Sequence, residues 1–275
     1  MSNPATRELR AAIVEALGRL ERTPLSDRSV HEARKALKKA RAALRLLRDG
    51  LDDAAYRAEN AALRDAGRLL SPLRDPNSAL AALDALCERY PGKLPLLGVE
   101  KLKDALHAKP ESTSSSRALP KQPTRLLKRC LERAEKPAFA RIGARPLDRG
   151  LRRIYRKGRK AFAEAQSTGT AEALHEWRKQ VKYLANALHI VYGRNKLKKI
   201  VKRAGKLAGR LGNEHDLALL TERTSALQGQ RQGLQPLIER RRAKLQKRAF
   251  ALGEKLYRRK PGRFVERLPA PTSSS

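Results

Sequence analysis

The chain contains an internal repeat, and this repeat limits its possible folds more than any other feature. Residues 29–44 (SVHEARKALKKARAAL) align with residues 173–188 (ALHEWRKQVKYLANAL) at an offset of 144 residues. The polar residues that coincide are His31/His175, Glu32/Glu176, Arg34/Arg178, Lys35/Lys179 and Lys38/Lys182. Apolar residues recur every three or four positions in both copies, as on one face of an α-helix. Duplication of such a segment predicts two similar helical bundles related by a pseudo-twofold axis.

Helical periodicity extends over almost the whole chain, and runs of alternating β-branched residues are missing, so we predict an all-α protein. The predicted helices are 4–22, 27–50, 53–74, 77–90 and 94–107 in the first half, and 122–135, 145–166, 171–192, 194–211 and 214–258 in the second, with a break in the last near 228–233. The predicted N-caps are Ser26 or Asp27, Asp75 or Asn77, and Thr170. Pro72 and Gly193 are predicted to end helices.

A polar stretch rich in Ser and Pro separates the two halves, and its composition is typical of a flexible linker. We therefore predict a single domain over residues 1–267. It comprises a first helical bundle at 5–107, a linker at 108–124 and a second helical bundle at 125–260. Residues 268–275 are predicted to form a disordered tail.

The charge balance points to a polyanionic partner. The 275 residues include 62 Lys and Arg against 28 Asp and Glu, a formal net charge of +34 that would be self-repelling in isolation. No stretch of 18 apolar residues and no signal-peptide pattern is present, and the two cysteines suit a reducing compartment. We expect a soluble, cytoplasmic protein without a membrane partner.

The repeated helices carry cations on one face and apolar residues on the other. At about 100° per residue, a narrow stripe on the first helix, here called the first basic seam, contains His31, Arg34, Lys38, Arg41 and Arg45. The second basic seam contains His175, Arg178, Lys182 and His189. The opposite faces carry Ala33, Leu37, Ala40, Leu44 and Leu47 in the first copy, and Trp177, Val181, Leu184, Leu188 and Val191 in the second. Either the seams are solvated helix surface, or they line a shared groove that binds phosphates; their identical offsets favour the groove.

Further cations extend this surface or are simply solvated. They comprise Lys35 and Lys179 beside the seams, Arg152, Arg153, Arg156 and Lys157 on the helix at 145–166, and Lys202 and Lys206 further along. His31 and His175 are either structural or, when protonated, phosphate ligands that would strengthen binding at mildly acid pH.

No catalytic or metal-binding pattern emerges. The phosphate-loop motif is missing, and the His and Cys residues lack metal-ligand spacing. Glu32 and Glu176 are better placed to pair with neighbouring Lys or Arg than to hold Mg²⁺. We therefore predict a protein that is not an enzyme and that needs neither a metal nor another cofactor.

At these positions the sequence resembles the CHAD family, the conserved histidine α-helical domain. The family pattern His-x-x-Arg-x-x-x-Lys/Arg is matched at His31-Glu-Ala-Arg34-Lys-Ala-Leu-Lys38 and at His175-Glu-Trp-Arg178-Lys-Gln-Val-Lys182. The resemblance implies two four-helix bundles around a central basic pore that binds inorganic polyphosphate without known catalysis. The pore residues that it implies are His31, Arg34, Lys38, Arg41, His175, Arg178 and Lys182. Ala185 stands where the family often carries Arg, a departure for which His189 or Lys206 would compensate.

Four functions are compatible with these observations. The leading one is non-enzymatic binding of inorganic polyphosphate, with polyphosphate granules as the expected location. The alternative is general nucleic-acid binding, although only 4% of the residues are aromatic and available for base stacking. Hydrolysis of a phosphate-rich substrate and a scaffold on another granule, such as a storage polyester, remain the other two.

Overall fold

A computed structural model of the chain describes residues 2–71, 77–107, 121–193, 197–225 and 233–269. Helices are the regular secondary structure of these ranges, and no strand occurs in them, so the predicted all-α class is confirmed. The helices are α1 (Pro4–Leu20), α2 (Asp27–Leu47), α3 (Asp53–Leu69), α4 (Asn77–Arg89), α5 (Leu96–His107), α6 (Lys121–Ala134), α7 (Pro137–Ala140), α8 (Ala144–Thr168), α9 (Ala171–Tyr192), α10 (Lys198–Arg223), α11 (Leu234–Tyr257) and α12 (Pro261–Glu266), with a 3₁₀ turn at Arg48–Gly50.

The two repeated helices begin at caps that the sequence predicts. The Ser26 hydroxyl accepts a hydrogen bond of 3.1 Å from the backbone N–H of Ser29 at the start of α2. Thr170 does the same for Ala173 at the start of α9, over 3.2 Å. Gly193 ends α9 with φ of +65°, a conformation that favours glycine. Pro72 and Asp75 lie outside the described residues.

Several helix boundaries differ from the prediction. The predicted break between 211 and 214 is wrong, because α10 continues through it to Arg223. In this part of α10, the side chain of Glu214 is held by Arg242 of α11, with Oε1 2.7 Å from Nη2. Helix α3 ends at Leu69 rather than at 74, and the short helices α7 and α12 were not predicted.

The helices form two groups of four. Helices α1, α2, α3 and α6 pack around one another, as do α8, α9, α10 and α11. On each side of the predicted linker, one helix packs against helices from the other side. Helix α6 follows the linker but packs on α1 and α3, whereas α4 precedes the linker but packs against α10. The predicted limits of the two bundles and their pseudo-twofold relation stay predictions.

Each group of four contains a buried glutamate paired with an arginine. Glu59 of α3 is 1% exposed and accepts a hydrogen bond of 3.1 Å from Nη2 of Arg133 on α6. In the other group, the corresponding pair is Glu214 of α10 and Arg242 of α11. Because a buried carboxylate is costly without such a partner, these pairs fix α6 and α11 against their neighbours.

The two groups meet where α8 and α9 cross α2. Helix α8 approaches α2 so closely at Gly150 that a side chain there would collide with the backbone carbonyl of Leu46. The apolar faces of α2, α8 and α9 merge into one core around Trp177. None of the described helices has a stretch apolar and long enough to span a bilayer.

Candidate functional site

The apolar faces predicted for α2 and α9 are buried. Leu37 and Leu44 of α2 are at most 2% exposed, and Trp177 and Leu188 of α9 are fully buried. Burial of one face leaves the opposite one, which carries the basic seams, away from the core of its own group. The predicted burial of the apolar face on each repeated helix is therefore confirmed.

The first basic seam forms one wall of a groove between α2 and α3. This groove has a volume of about 240 Å³. Its lining is Arg34, Leu37, Lys38, Arg41, Leu63, Arg64, Gly67 and Arg68. Five of these eight residues are cations, and among the described residues no carboxylate lines the groove. The arrangement suits an anion, because the cations repel one another until a negative charge enters.

Arg34 and Arg41, which both line the groove, differ in whether their N–H groups have hydrogen-bond partners. Arg34 donates a hydrogen bond of 3.1 Å from Nη1 to the carbonyl oxygen of Gly67 on α3. Arg41 is half-buried, and its Nε is buried with no hydrogen-bond partner among the described residues. Burial lowers the pKa of the Arg41 guanidinium, and the nearby Arg45 and Arg64 act in the same direction. A phosphate oxygen would satisfy the Nε group and offset the repulsion.

The first seam meets the helix of the second repeat at Tyr183 of α9. The central guanidinium carbon of Arg45 lies 4.0 Å from the centroid of the Tyr183 ring, and that of Arg41 lies 5.9 Å from it. The other side of Arg45 contacts α3, where Nη1 lies 3.5 Å from Oδ1 of Asn60. The two repeated motifs therefore contact each other through Arg41 and Arg45 of the first copy and Tyr183 of the second.

The second seam packs on α10. The rings of His175 and His215 lie 4.7 Å apart between centroids, and a methyl group at Gly212 would lie 3.9 Å from the Arg178 guanidinium. Nδ1 of His175 is buried without a hydrogen-bond partner among the described residues. Burial lowers the pKa of His175, and Lys179 and Arg178 lower it further. Burial and the neighbouring cations therefore both favour the neutral form of the His175 ring.

The glutamate next to each motif histidine pairs with the lysine three residues later. Glu32 contacts Lys35 at 3.4 Å, and Glu176 contacts Lys179. Gln180 also donates to Glu176, over 2.6 Å. These pairs agree with the expectation that the two glutamates neutralise neighbouring cations. Lys35 and Lys179 are exposed at the edge of the seams.

Part of the basic face of α8 joins the seams. Burial lowers the pKa of Lys157, with Arg45 of the first seam the next largest cause, and Glu176 of α9 opposes the shift. Arg153 is half-buried, pairs with Asp49 and lies next to Arg48. Lys157 thus lies near Arg45 of α2 and Glu176 of α9, whereas Arg153 faces the 3₁₀ turn that follows α2.

The remaining predicted residues lie further from the place where α2, α8 and α9 meet. Arg152 faces α12, with Nη2 4.0 Å from Oε1 of Glu266. The other predicted residues, among them His189 of the second seam, are exposed: Arg156, His189, Lys202 and Lys206. His31 is exposed near the start of α2, and the pKa of the adjacent Glu32 carboxyl is lowered chiefly by its hydrogen bond from Lys35, to which His31 adds.

Four residues of the site were not predicted from the sequence: Arg64 and Arg68 of α3, Tyr183 of α9 and His215 of α10. The segment Ala66-Gly-Arg-Leu69 recurs without change at Ala208-Gly-Arg-Leu211. This second repeat lies on the helices that pack against the two seams, and it could have indicated that α3 and α10 contribute to the site.

The site offers no grouping of metal ligands. Among the described residues, no three His, Cys, Asp or Glu side chains come together in a way that could hold a metal ion. The chemistry that the site can provide is electrostatic attraction and hydrogen-bond donation to an extended anion.

Comparison with known proteins agrees with this fold. The sequence profile of the CHAD domain matches residues 5–225. The chain belongs to the CHAD domain family. This CHAD domain is similar to the crystal structure of the CHAD domain from the plant Ricinus communis, with 18% sequence identity and a TM-score of 0.54 over 98% of this chain and 94% of that one. At this identity, the similarity supports the fold alone. No sequence among the curated proteins matches the chain.

Proposed function

We propose that this CHAD domain binds inorganic polyphosphate, without catalysis, between the two basic seams. The observation that carries the proposal is the contact of Arg41 and Arg45 with Tyr183, because it places the first basic seam against α9, the helix that carries the second. The α2–α3 groove adds a cavity lined by five cations on the same side of α2. A linear chain of phosphates matches such a row of separated cations, since each phosphate offers oxygens to several donors.

Polyphosphate fits this site better than nucleic acid does. Proteins that bind single strands use exposed aromatic rings on which bases stack. The guanidinium of Arg45 covers a face of Tyr183, the aromatic ring between the seams. Recognition of phosphate groups does not need an exposed aromatic ring. Binding to polyphosphate granules in the cytoplasm follows from this proposal as the expected location.

The absence of catalysis belongs to the same proposal. Phosphoryl transfer needs carboxylates that hold Mg²⁺ near the phosphates. Glu32 and Glu176, the carboxylates closest to the motif histidines, are each engaged by a lysine. The supported role is therefore retention of the polymer rather than its cleavage.

The test is a titration of the full chain with long-chain polyphosphate and with duplex DNA of equal charge, at about 0.15 M salt. The variant combines Arg34→Ala with Arg178→Ala. We expect it to lose roughly 1.5–3 kcal/mol of binding free energy for each charge-assisted hydrogen bond removed. A second version with glutamine at both positions keeps an amide donor for the Gly67 carbonyl and guards against misfolding.

A matched control removes two positive charges elsewhere. Arg125 and Arg129 are exposed on α6, and their double alanine variant has the same net charge as the Arg34/Arg178 variant. Selective binding of polyphosphate that weakens only in the Arg34/Arg178 variants supports the proposal. Equal or tighter binding of DNA, or equal losses in both pairs, would overturn it.

A further inference from the structure

A second cluster of cations lies on the side of α11, and none of its members belongs to the two basic seams. Arg240, Arg241, Lys244 and Arg248 fall within about 100° of arc on the helix, beside the face that carries the buried Ile238 and Leu245. Arg89, the last residue of α4, and Arg210 of α10 join them. We call these six cations the α4–α11 patch.

The helices that carry the patch pack on a shared hydrophobic core. Helices α4, α10 and α11 share a core of their own, which includes Leu83, Leu86, Leu220 and Ile238. On the opposite flank of α11, Arg242 is fixed by the buried Glu214. Tyr90 lies beside the patch, with its ring centroid 5.9 Å from the guanidinium carbon of Arg240. The positions of these cations therefore follow from packed helices.

The cations of the patch lie close to one another and lack acidic partners. Arg248 and Arg89 lower the pKa of the Lys244 ammonium, and both Arg241 and Arg240 contribute. No ion pair joins any of the six to a carboxylate within the described parts of the chain. An ordinary solvated helix face intersperses both signs of charge, as α3 does where Arg57 pairs with Asp53 at 3.5 Å.

The patch also contains an unsatisfied donor. Nε of Arg210 is buried, and it has no hydrogen-bond partner in the described residues. A buried N–H group of this kind is costly unless a ligand or a water accepts from it. Arg210 is close enough to lower the pKa of the half-buried Arg241.

We infer that the α4–α11 patch is a second site for a linear phosphate polymer, separate from the seams. The inference rests on the proposed function, since it takes the same class of ligand. A long polymer bound at the seams meets the patch at high effective concentration, so that engagement of both sites raises its affinity. A short polymer occupies one site at a time. The chain should therefore distinguish long polyphosphate from short polyphosphate by affinity.

The experiment compares long-chain polyphosphate with tripolyphosphate on the full chain. The patch variant carries Arg241→Gln, Lys244→Gln and Arg248→Gln, and circular dichroism and thermal unfolding verify that it is folded. The matched control replaces the exposed Lys121, Arg125 and Arg129 of α6 with glutamine, which removes the same charge. We expect the patch variant to lose roughly tenfold or more in affinity for the long chain, as for one charge-assisted hydrogen bond. Its plot of log affinity against log salt should flatten by about 0.7 for each phosphate that the variant no longer neutralises.

Comparison with the Arg34/Arg178 variant separates the two proposals. If the patch variant binds long chains like the unmodified protein, or loses no more than the α6 control, the patch inference is wrong while the seam proposal is unaffected. If the patch variant loses affinity and the Arg34/Arg178 variant does not, the seams are not the primary site. If the patch variant loses equal affinity for tripolyphosphate and for the long chain, simultaneous engagement of two sites is wrong.

Discussion

The guanidinium carbon of Arg45 lies 4.0 Å from the centre of the Tyr183 ring. Arg45 belongs to the first copy of the repeated motif and Tyr183 to the second, so this contact joins the two copies directly. The ring face carries partial negative charge, which partly offsets the repulsion that Arg45 experiences from Arg41 and Lys157. Tyr183 therefore allows several cations to gather between α2 and α9 before any anion binds.

A double-mutant cycle measures this contact. We expect Arg45→Met and Tyr183→Leu to be coupled by about 0.5–1 kcal/mol in the free energy of unfolding, the range for a cation over an aromatic ring at a partly exposed site. Urea denaturation of the four proteins gives the coupling. The same cycle with Arg41, 5.9 Å from the ring, should give a smaller value. Equal coupling for Arg41 and Arg45 would show that ring stacking is not the cause.

Polyphosphate affinity should rise as the pH falls. Burial lowers the pKa of His175 below its ordinary value of about 6.5, aided by Lys179 and Arg178, with Lys182 nearby and Glu176 opposing. A bound polyanion favours the protonated ring, so binding takes up a proton. We expect affinity for long chains to increase between about pH 7.5 and about pH 5.5, and His175→Gln to reduce the increase. The measurement uses long chains because they have few terminal phosphates, so that protonation of those phosphates contributes little to the change in affinity.

The same histidine predicts how the stability of the free protein depends on pH. The unfolded chain protonates His175 at about pH 6.5 and the folded chain only at lower pH, so the free energy of unfolding decreases as the pH drops through that range. The His175→Gln variant should show a smaller decrease. His189→Gln, at an exposed position on the same helix, is the control and should match the unmodified protein. An identical pH profile for all three proteins contradicts this assignment.

Removal of the Arg133 side chain should destabilise the fold strongly. Glu59 is 1% exposed and would be left as a buried carboxylate without its partner. We expect Arg133→Met to lower the free energy of unfolding by about 3 kcal/mol. Arg129→Met, on the exposed side of α6, should change it by less than about 0.5 kcal/mol. Adding Glu59→Leu to Arg133→Met should recover much of the loss; failure to do so would assign the loss to packing rather than to the unpaired charge.

Two glycine-to-alanine substitutions should act in opposite directions. At Gly150, a methyl group collides with the Leu46 carbonyl and forces α8 away from α2, at a cost of about 1–3 kcal/mol. At Gly205, inside α10, a methyl group meets nothing within 4 Å. Alanine there should stabilise the protein by about 0.5–1 kcal/mol, because it restricts the unfolded chain and favours the helix. Thermal and urea unfolding of the two variants measure both effects; stabilisation by Gly150→Ala would show that the crossing is not tightly packed.

The sequence predicts the elements of this protein better than their arrangement. Helices α2, α8 and α9 could be located because their apolar and cationic faces are sharply separated. The sequence did not predict that α10 continues past 211. Glu214 in this part of the helix is held by Arg242 of α11, and local periodicity carries no information about such a tertiary contact.

The candidate site could also be predicted only in part from the sequence. The two seams follow from residues at matching offsets within single helices. The contributions of Arg64, Arg68 and Tyr183 depend on which helix lies beside which, and periodicity carries no information about that. The α4–α11 patch likewise joins residues that are far apart in the chain, and three separate helices supply it.

Helix α6 packs on helices that precede the linker and α4 packs on one that follows it, so each half of the chain contributes a helix to the other. A fragment that ends before α6 would expose the faces of α1 and α3 that α6 covers, and it would leave the carboxylate of Glu59 without Arg133. A fragment that begins at α6 would lack α4, which covers part of α10. Cutting the chain at the linker would therefore remove packing surface from both parts, and a chain synthesised from its N-terminus completes its first four-helix group only after α6 has emerged. We expect either fragment to be less stable than the full chain.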